Sequence, residues 1–290
     1  MGDRWAAWLM GRRDGGDPGV RQDHHPTLMR FRAGVLDRAA IAEGDVVLDV
    51  GAGTGLIAFG ALDRVGETGR VIFSDVSAAL LDECRRQAGD DPRCAFVRAS
   101  ADDLAEIGDA TVDVVTTRSV LMYLPDKAAG FRELARVLRP GGRLAIFEPI
   151  NSFVMRQEAR LFGFDLAPIA DLASKFLTAY RADEIIADFD ERDLLRWAVE
   201  AGFASIELDY RAEVDLPAPP LPGDWDRMRR TAPNPLAPTY EEAVAETLTV
   251  AEAARFEAYI RELIDIGAPR TTTLASAYLK AVKPEPRGAR

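Results

Sequence analysis

The chain has 290 residues, 48% of them hydrophobic, enough for one large α/β domain with insertions or for two small domains around a sizeable core. Its 36 Lys and Arg against 47 Asp and Glu leave a formal charge of −11, which works against a nucleic-acid partner, because phosphate binding draws on basic side chains and released counterions. The only cysteines, Cys84 and Cys94, have no CxxC spacing and no neighbouring His, which excludes a cysteine zinc site, speaks against a disulfide framework and leaves both as reduced thiols packed like small hydrophobes. No metal is expected.

No apolar run approaches the ~18 residues of a membrane helix. The opening "MGDRWA" lacks the Ser or Thr of a myristoylation site, and "GRRDGG" precedes polar sequence rather than a signal core, so the expectation is a cytoplasmic protein without a membrane partner. A homodimer is compatible with this reading.

In chain order, "PTLMRFRAGVLDRAAIAEGD" from Pro26 reads as an amphipathic helix with Leu28, Phe31, Val35, Leu36 and Ala39 inward. Short β-branched runs then alternate with helical stretches up to Glu148, the pattern of parallel strands joined by crossover helices. The strands are expected at Val46–Val50, Arg70–Asp75, Ala95–Ala99, Val112–Thr117 and Arg143–Phe147, each nearly continuous in apolar residues because both faces are covered. Ser77 caps "SAALLDECRRQAG", which stops at Gly89. "PDKAAGFRELARVLRPGG" sets Phe131, Leu134 and Leu138 on one face and stops at Pro140 and Gly141.

Beyond Ile150 the rhythm changes. Ile150 to Arg181 is aromatic-rich without strand alternation; "DERDLLRWAVEAGF" is a helix capped by Asp190, stopped at Gly202 and followed by the strand "SIELDY". The Pro-rich run from Pro217 to Asp224 is a stiff connector. Two capping boxes, Thr239 with Glu242 and Thr249 with Glu252, announce two helices, and "TTTLASAYLKAVKP" is the closing strand. The expected organisation is an N-terminal helical cap (1–44), a doubly wound core (45–149) resumed at 189–213 and 269–290, and insertions at 150–188 and 214–268.

"VVLDVGAGTG" carries the functional signal. A strand that ends in Gly51, Gly53 and Gly55 and runs into a helix (Leu56, Ile57, Phe59, Leu62) offers bare amides at one point, a place for a carboxylate, a phosphate or a ribose. A dinucleotide fingerprint needs its third glycine where Leu56 stands, and a phosphate-cradling loop needs a Gly-Lys-Ser/Thr ending that is absent.

"LDVGAGTG" with Asp49, a second acid at Asp75 closing the next strand, "ASADDL" after the third and "RVLRPGG" before the fifth together resemble the class I S-adenosylmethionine-dependent methyltransferases, particularly the small-molecule branch related to ubiquinone and menaquinone biosynthesis. The resemblance runs from about Val35 to Glu148 and returns weakly at Asp190–Tyr210 and Thr271–Val282. It implies a Rossmann-like, mostly parallel seven-stranded sheet with helical lid insertions, and S-adenosylmethionine as cofactor with S-adenosylhomocysteine as product.

The implied roles fall residue by residue. Gly51, Gly53 and Gly55 admit the methionine portion of the cofactor, Asp49 orients its ammonium, and Asp75 accepts from both ribose hydroxyls. Val76 lies against the adenine face. Ser100 stands where relatives carry an acid, leaving the Ala101 amide and Asp102 to read the adenine edge. Arg118 and Ser119 border the methionine end, and Arg30 meets its carboxylate. Each has a plainer reading beside it: Asp75 precedes a helix start, Asp102 can cap a short helix, and Arg30 and Arg118 can be ordinary surface or ion-pair residues.

Methyl transfer is an in-line displacement that rests on alignment and desolvation, with a base needed only where the acceptor must lose a proton. His24 and His25 are the only histidines, and either is a base or acceptor clamp if the N-terminal helix folds over the cofactor. Tyr123, in "SVLMYLPD", is a further candidate for positioning substrate. "TTRSVL" follows the fourth strand where enzymes that methylate amide or base nitrogens carry Asn-Pro-Pro-Tyr, so the expected substrate is a small hydrophobic molecule, methylated on oxygen ahead of nitrogen or carbon. Phe153, Met155, Phe162, Phe164, Phe176, Tyr180, Trp225 and Met228 supply the composition of a covered pocket. The alternative is a cofactor-binding scaffold or cyclase-like enzyme of the same fold.

Overall fold

The computed structural model describes residues 3–155, 160–181, 184–218 and 225–286. The elements are α1 (Arg4–Ala7), α2 (Pro18–Ala39), β1 (Val46–Val50), α3 (Ala58–Leu62), β2 (Arg70–Asp75), α4 (Ala78–Ala88), β3 (Cys94–Arg98), β4 (Val112–Arg118), α5 (Lys127–Val137), β5 (Leu138–Pro149), α6 (Asn151–Met155), β6 (Arg160–Leu161), β7 (Phe164–Asp165), α7 (Ala170–Tyr180), α8 (Glu191–Glu200), β8 (Ala204–Asp215), α9 (Trp225–Met228), α10 (Tyr240–Thr247), α11 (Val250–Asp265) and β9 (Thr272–Val282). They form two compact units, one of residues 26–151, 185–211 and 276–290, the other of 1–25, 152–184 and 212–275.

The first unit is built on a seven-stranded sheet in the order β3-β2-β1-β4-β5-β9-β8. β1 to β5 run parallel and β9 returns antiparallel beside β5. β1, β2 and β4 carry the buried Val47, Leu48, Val71, Phe73, Val114 and Val115, as expected for strands covered on both faces. On one face Val35, Leu36 and Ala39 of α2 pack against Val47, Val71, Phe73, Val114 and Ala145. After β1 the chain winds outward to β2 and β3, then returns to β4 on the other side of β1. The crevice beyond the carboxyl ends of β1 and β4 is therefore the switch point where such sheets take ligands.

The second unit gathers around Phe176, Tyr240 and Phe256, all fully enclosed, from α7, α10 and α11. Both capping boxes form as expected: Thr239 and Thr249 accept from the amides of Glu242 and Glu252, whose carboxylates accept from the cap amides in return. Trp8 joins this unit by donating its Nε1 hydrogen to the carbonyl of Ala232 at 2.9 Å.

β1 and β2 match their expected bounds, and Ser77, Gly89 and Asp190 end their helices as read. Four details differ. α2 begins at Pro18 and continues through Pro26, which forfeits one helical hydrogen bond without ending the helix. α3 starts only at Ala58, because the backbone turns through Ile57. Leu138, Pro140 and Gly141 belong to β5 rather than to the end of α5. The segment forms an irregularity against β4, whose Val112 faces Leu138 while Val114 faces Arg143, and Gly141 donates its amide to the Lys283 carbonyl at 2.8 Å. The aromatic stretch after Ile150 contains a two-stranded hairpin, β6 with β7. Of the Pro-rich connector, residues 219–224 lie outside the described part.

Candidate functional site

The turn after β1 is braced by the acid that ends β2. Asp75, nearly buried, accepts at Oδ2 from the Gly53 amide and at Oδ1 from the Ser77 amide, both at 2.9 Å. From below, the Cys84 thiol donates to the Gly53 carbonyl at 3.3 Å, and burial foremost, then Asp49 and Asp75, push that thiol up to about 12. Cys84 is thus a neutral buried thiol, as expected, while Cys94 is half-buried.

The glycines answer first to the protein itself. Gly51, Gly53 and Gly55 have φ of 70°, 58° and 85°, all in the left-handed region. A Cβ on Gly51 would stand 2.2 Å from Val120 Cγ2, and one on Gly55 would stand 2.4 Å from the Phe59 ring. The turn is therefore bare where neighbouring side chains close on it, which brings β4's following loop directly against β1's.

Asp49 points into the sheet face one residue before the end of β1. Thr116 Oγ1 donates to its Oδ1 at 2.8 Å. Burial pushes its carboxyl up to about 7, with Thr116, the Ala58 amide and the Arg118 charge pulling the other way. Arg118, Phe147 and Tyr278 share one row across β4, β5 and β9. Burial pushes the Tyr278 phenol up, opposed by the charges of Arg38, Arg30 and Arg118. Arg30 is exposed, its guanidinium 5.9 Å from the Phe31 ring centre. The acid Asp49, the cation Arg118 and the phenol Tyr278 thus stand on three strands of one sheet toward the same edge.

At the far side of β2, Val76 is 39% exposed, an unusual state for valine beside buried Asp75 and Ser77. The Ser100 hydroxyl donates to Asp102, while Ala101 is buried between them. Ser119 adopts φ 56° and donates its amide to the Phe147 carbonyl at 2.9 Å. Tyr123, half-buried, closes a single 3₁₀ turn at Leu121–Tyr123. His25 is exposed on α2, and the side chain of His24 lies outside the described part. Of the expected pocket aromatics, Phe176 is enclosed in the core of the second unit, and Phe164 is buried as well.

Glu148, Thr116, Val120 and Tyr278 were not singled out from the sequence. Glu148 bears the same mark as Asp49 and Asp75, an acid closing an apolar strand, and it is fully buried. Among the described residues no cluster of His, Cys, Asp and Glu could hold a metal, and no helix is long and apolar enough to cross a membrane.

The model of the ubiE/COQ5 methyltransferase family matches residues 25–213. The ubiquinone/menaquinone biosynthesis C-methyltransferase UbiE of Klebsiella pneumoniae is 31% identical over 180 residues, 59% of this chain and 71% of that protein. The demethylmenaquinone methyltransferase of Clavibacter sepedonicus is 34% identical over 184 residues, 61% of this chain and 73% of that protein. The YcgJ protein of Bacillus subtilis shares the fold with a TM-score of 0.53 at 16% identity, covering 91% of this chain and 100% of its own. With its family model matched over well more than half its length, the chain belongs to the ubiE/COQ5 methyltransferase family and is an S-adenosylmethionine-dependent methyltransferase.

Proposed function

We propose that the protein methylates a ring carbon of a small, largely hydrophobic hydroquinone-type metabolite. The expected preference for oxygen gives way to carbon because the relatives similar to this chain bear the names C-methyltransferase and demethylmenaquinone methyltransferase. A hydroquinone ring is electron-rich, so the carbon beside its hydroxyl is a competent nucleophile once the O–H proton is lost.

The observation that carries the reading is the Asp75–Gly53 bond, with Asp49 near the end of β1 and the Arg118–Phe147–Tyr278 row toward the same carboxyl edge of the sheet. When bound, the cofactor supplies a methyl group already activated on a sulfonium. The turn of Gly51, Gly53 and Gly55 lies along its methionine portion, Asp49 takes the ammonium, and Arg118, Ser119 and Arg30 border the carboxylate. Asp75 holds the ribose hydroxyls, and Val76 covers adenine, which accounts for an apolar side chain left in water. The Ala101 amide and Asp102 read the adenine edge; the Ser100 hydroxyl fixes the Asp102 carboxylate in place. Tyr123 remains the group proposed to meet the acceptor.

The test is transfer of a ¹³C-labelled methyl group to a chemically reduced demethylmenaquinone with a short prenyl chain. The expected product carries an aryl C–CH₃ signal. An O–CH₃ product, or none, overturns the acceptor assignment.

A further inference from the structure

The roles above leave Glu148 without one. It closes the buried part of β5 and spends its carboxylate on three consecutive amides of the loop after β4. Its Oε1 accepts from Val120 and Leu121, each at 2.9 Å, and Oε2 accepts from Met122 at 3.4 Å. Among the described residues no Lys or Arg forms an ion pair with it; the three amides, and behind them the charge of Arg118, stabilise the buried acid. Burial still pushes the carboxyl up to about 7.

The loop so held is the one that meets the cofactor turn. Ser119 enters it in a left-handed conformation and Val120 covers Gly51 at the distance where a side chain there would begin. Tyr123 closes its 3₁₀ turn onto the Val120 carbonyl at 3.0 Å, and Asn151, just past β5, donates to Met122 Sδ at 3.8 Å and to the Ile186 carbonyl at 3.1 Å. One carboxylate therefore sets the height of residues 119–123 above the glycine turn, and that loop presents Tyr123.

We propose that Glu148 is a positioning residue for methyl transfer: it hangs the 119–123 loop from the end of β5, so that the wall beside the glycine turn holds the acceptor in line with the departing methyl group. This rests on the methyl-transfer reading above. A displacement of about 1 Å in such a wall costs on the order of 100-fold in rate, without any change in how the nucleoside end is gripped.

The test compares Glu148→Gln and Glu148→Ala. Gln retains one oxygen for Val120 and Leu121 and turns an NH₂ group onto the Met122 amide, whereas Ala frees all three. The expected result is kcat for the reduced demethylmenaquinone falling roughly 10-fold in Gln and about 100-fold in Ala, with KM for S-adenosylmethionine held within about twofold. Calorimetric binding of S-adenosylhomocysteine should move no more than KM does. Hydrogen exchange should accelerate at Met122 alone in Gln, and at Val120, Leu121 and Met122 in Ala, with the amides of β1 and β4 as protected as before. Unchanged exchange in the loop, unchanged kcat in both variants, or loss of S-adenosylhomocysteine binding and strand protection together with the loop overturns the proposal; the last outcome makes Glu148 a structural residue only. Should Ala fail to fold, the Gln variant decides. If the unaltered protein ignores the quinol while binding S-adenosylhomocysteine, the acceptor assignment falls and exchange with affinity still decides the place of Glu148.

Discussion

Asp75 Oδ2 accepts the Gly53 amide at 2.9 Å, so the acid that closes β2 also sets the turn that closes β1. Asp75→Ala removes the brace and the ribose acceptor together, and charge-assisted hydrogen bonds of this kind are worth roughly 1.5–3 kcal/mol each. S-adenosylhomocysteine affinity should fall by about 100-fold or more. Asp75→Asn keeps one acceptor oxygen and should lose less. Isothermal titration calorimetry measures both, and wild-type affinity in the Ala variant removes Asp75 from the site.

Gly51→Ala tests whether the glycine turn is bare for the sake of Val120. Its Cβ would stand 2.2 Å from Val120 Cγ2 at a φ of 70°. The clash and the left-handed backbone together should cost on the order of 2 kcal/mol or more. Adding Val120→Ala removes the clash and should return part of the loss, leaving about 1 kcal/mol for the backbone. Urea unfolding of the single and double variants reads the coupling. If the two substitutions add without compensation, the contact is not what excludes a side chain.

Asp49 makes the protein's stability depend on pH in a direction that a surface acid would not. Its folded pKa, raised to about 7 by burial, lies above the unfolded value, so its contribution is fully present below about pH 4 and is lost as the pH climbs to 7. Asp49→Asn is neutral throughout and can still accept from Thr116. At pH 8 it should melt several degrees above the wild type, given roughly 2–4 °C per kcal/mol for a chain this long, and the gap should shrink through pH 5 and close below about pH 4. The same variant should bind S-adenosylhomocysteine more weakly, since a neutral amide attracts an ammonium less. A gap that widens toward low pH contradicts the assignment.

The parts of the site that could be read from sequence are those whose causes are local. Asp49 and Asp75 each close an apolar run, and Ser77, Asp190, Thr239 and Thr249 each cap the helix that follows them. Glu148 carries the same local mark, but its partners at Val120 to Met122 lie 26 to 28 residues back, a pairing that only the β4–β5 register creates. Pro140 and Gly141 look like a helix stop, but α5 has already ended at Val137 and β5 has begun at Leu138, taking up extra residues against β4, which the spacing does not say. Aromatic density after Ile150 announces apolar surface to be covered, and whether protein or ligand covers it depends on α10 and α11, about 60 to 90 residues downstream. The Phe176 neighbours supply the answer for that ring.

Phe176 stacks on Tyr180 at 4.9 Å between ring centres and meets Phe256 at 5.0 Å and Tyr240 at 5.3 Å, with no exposed surface of its own. As a core residue, Phe176→Ala should cost about 3–5 kcal/mol and open the unit of residues 152–184 and 212–275 to protease. Tyr240→Phe supplies the contrast. Its hydroxyl is buried without a hydrogen-bond partner among the described residues, and burial pushes the phenol far up, so removing the oxygen gives up no such bond and relieves a desolvated polar atom. That variant should be at least as stable as the wild type in urea. If Phe176→Ala unfolds with little loss and instead weakens acceptor binding, Phe176 is a pocket wall after all; if Tyr240→Phe destabilises by about 1 kcal/mol or more, its hydroxyl has a partner, such as a buried water, that holds it in place.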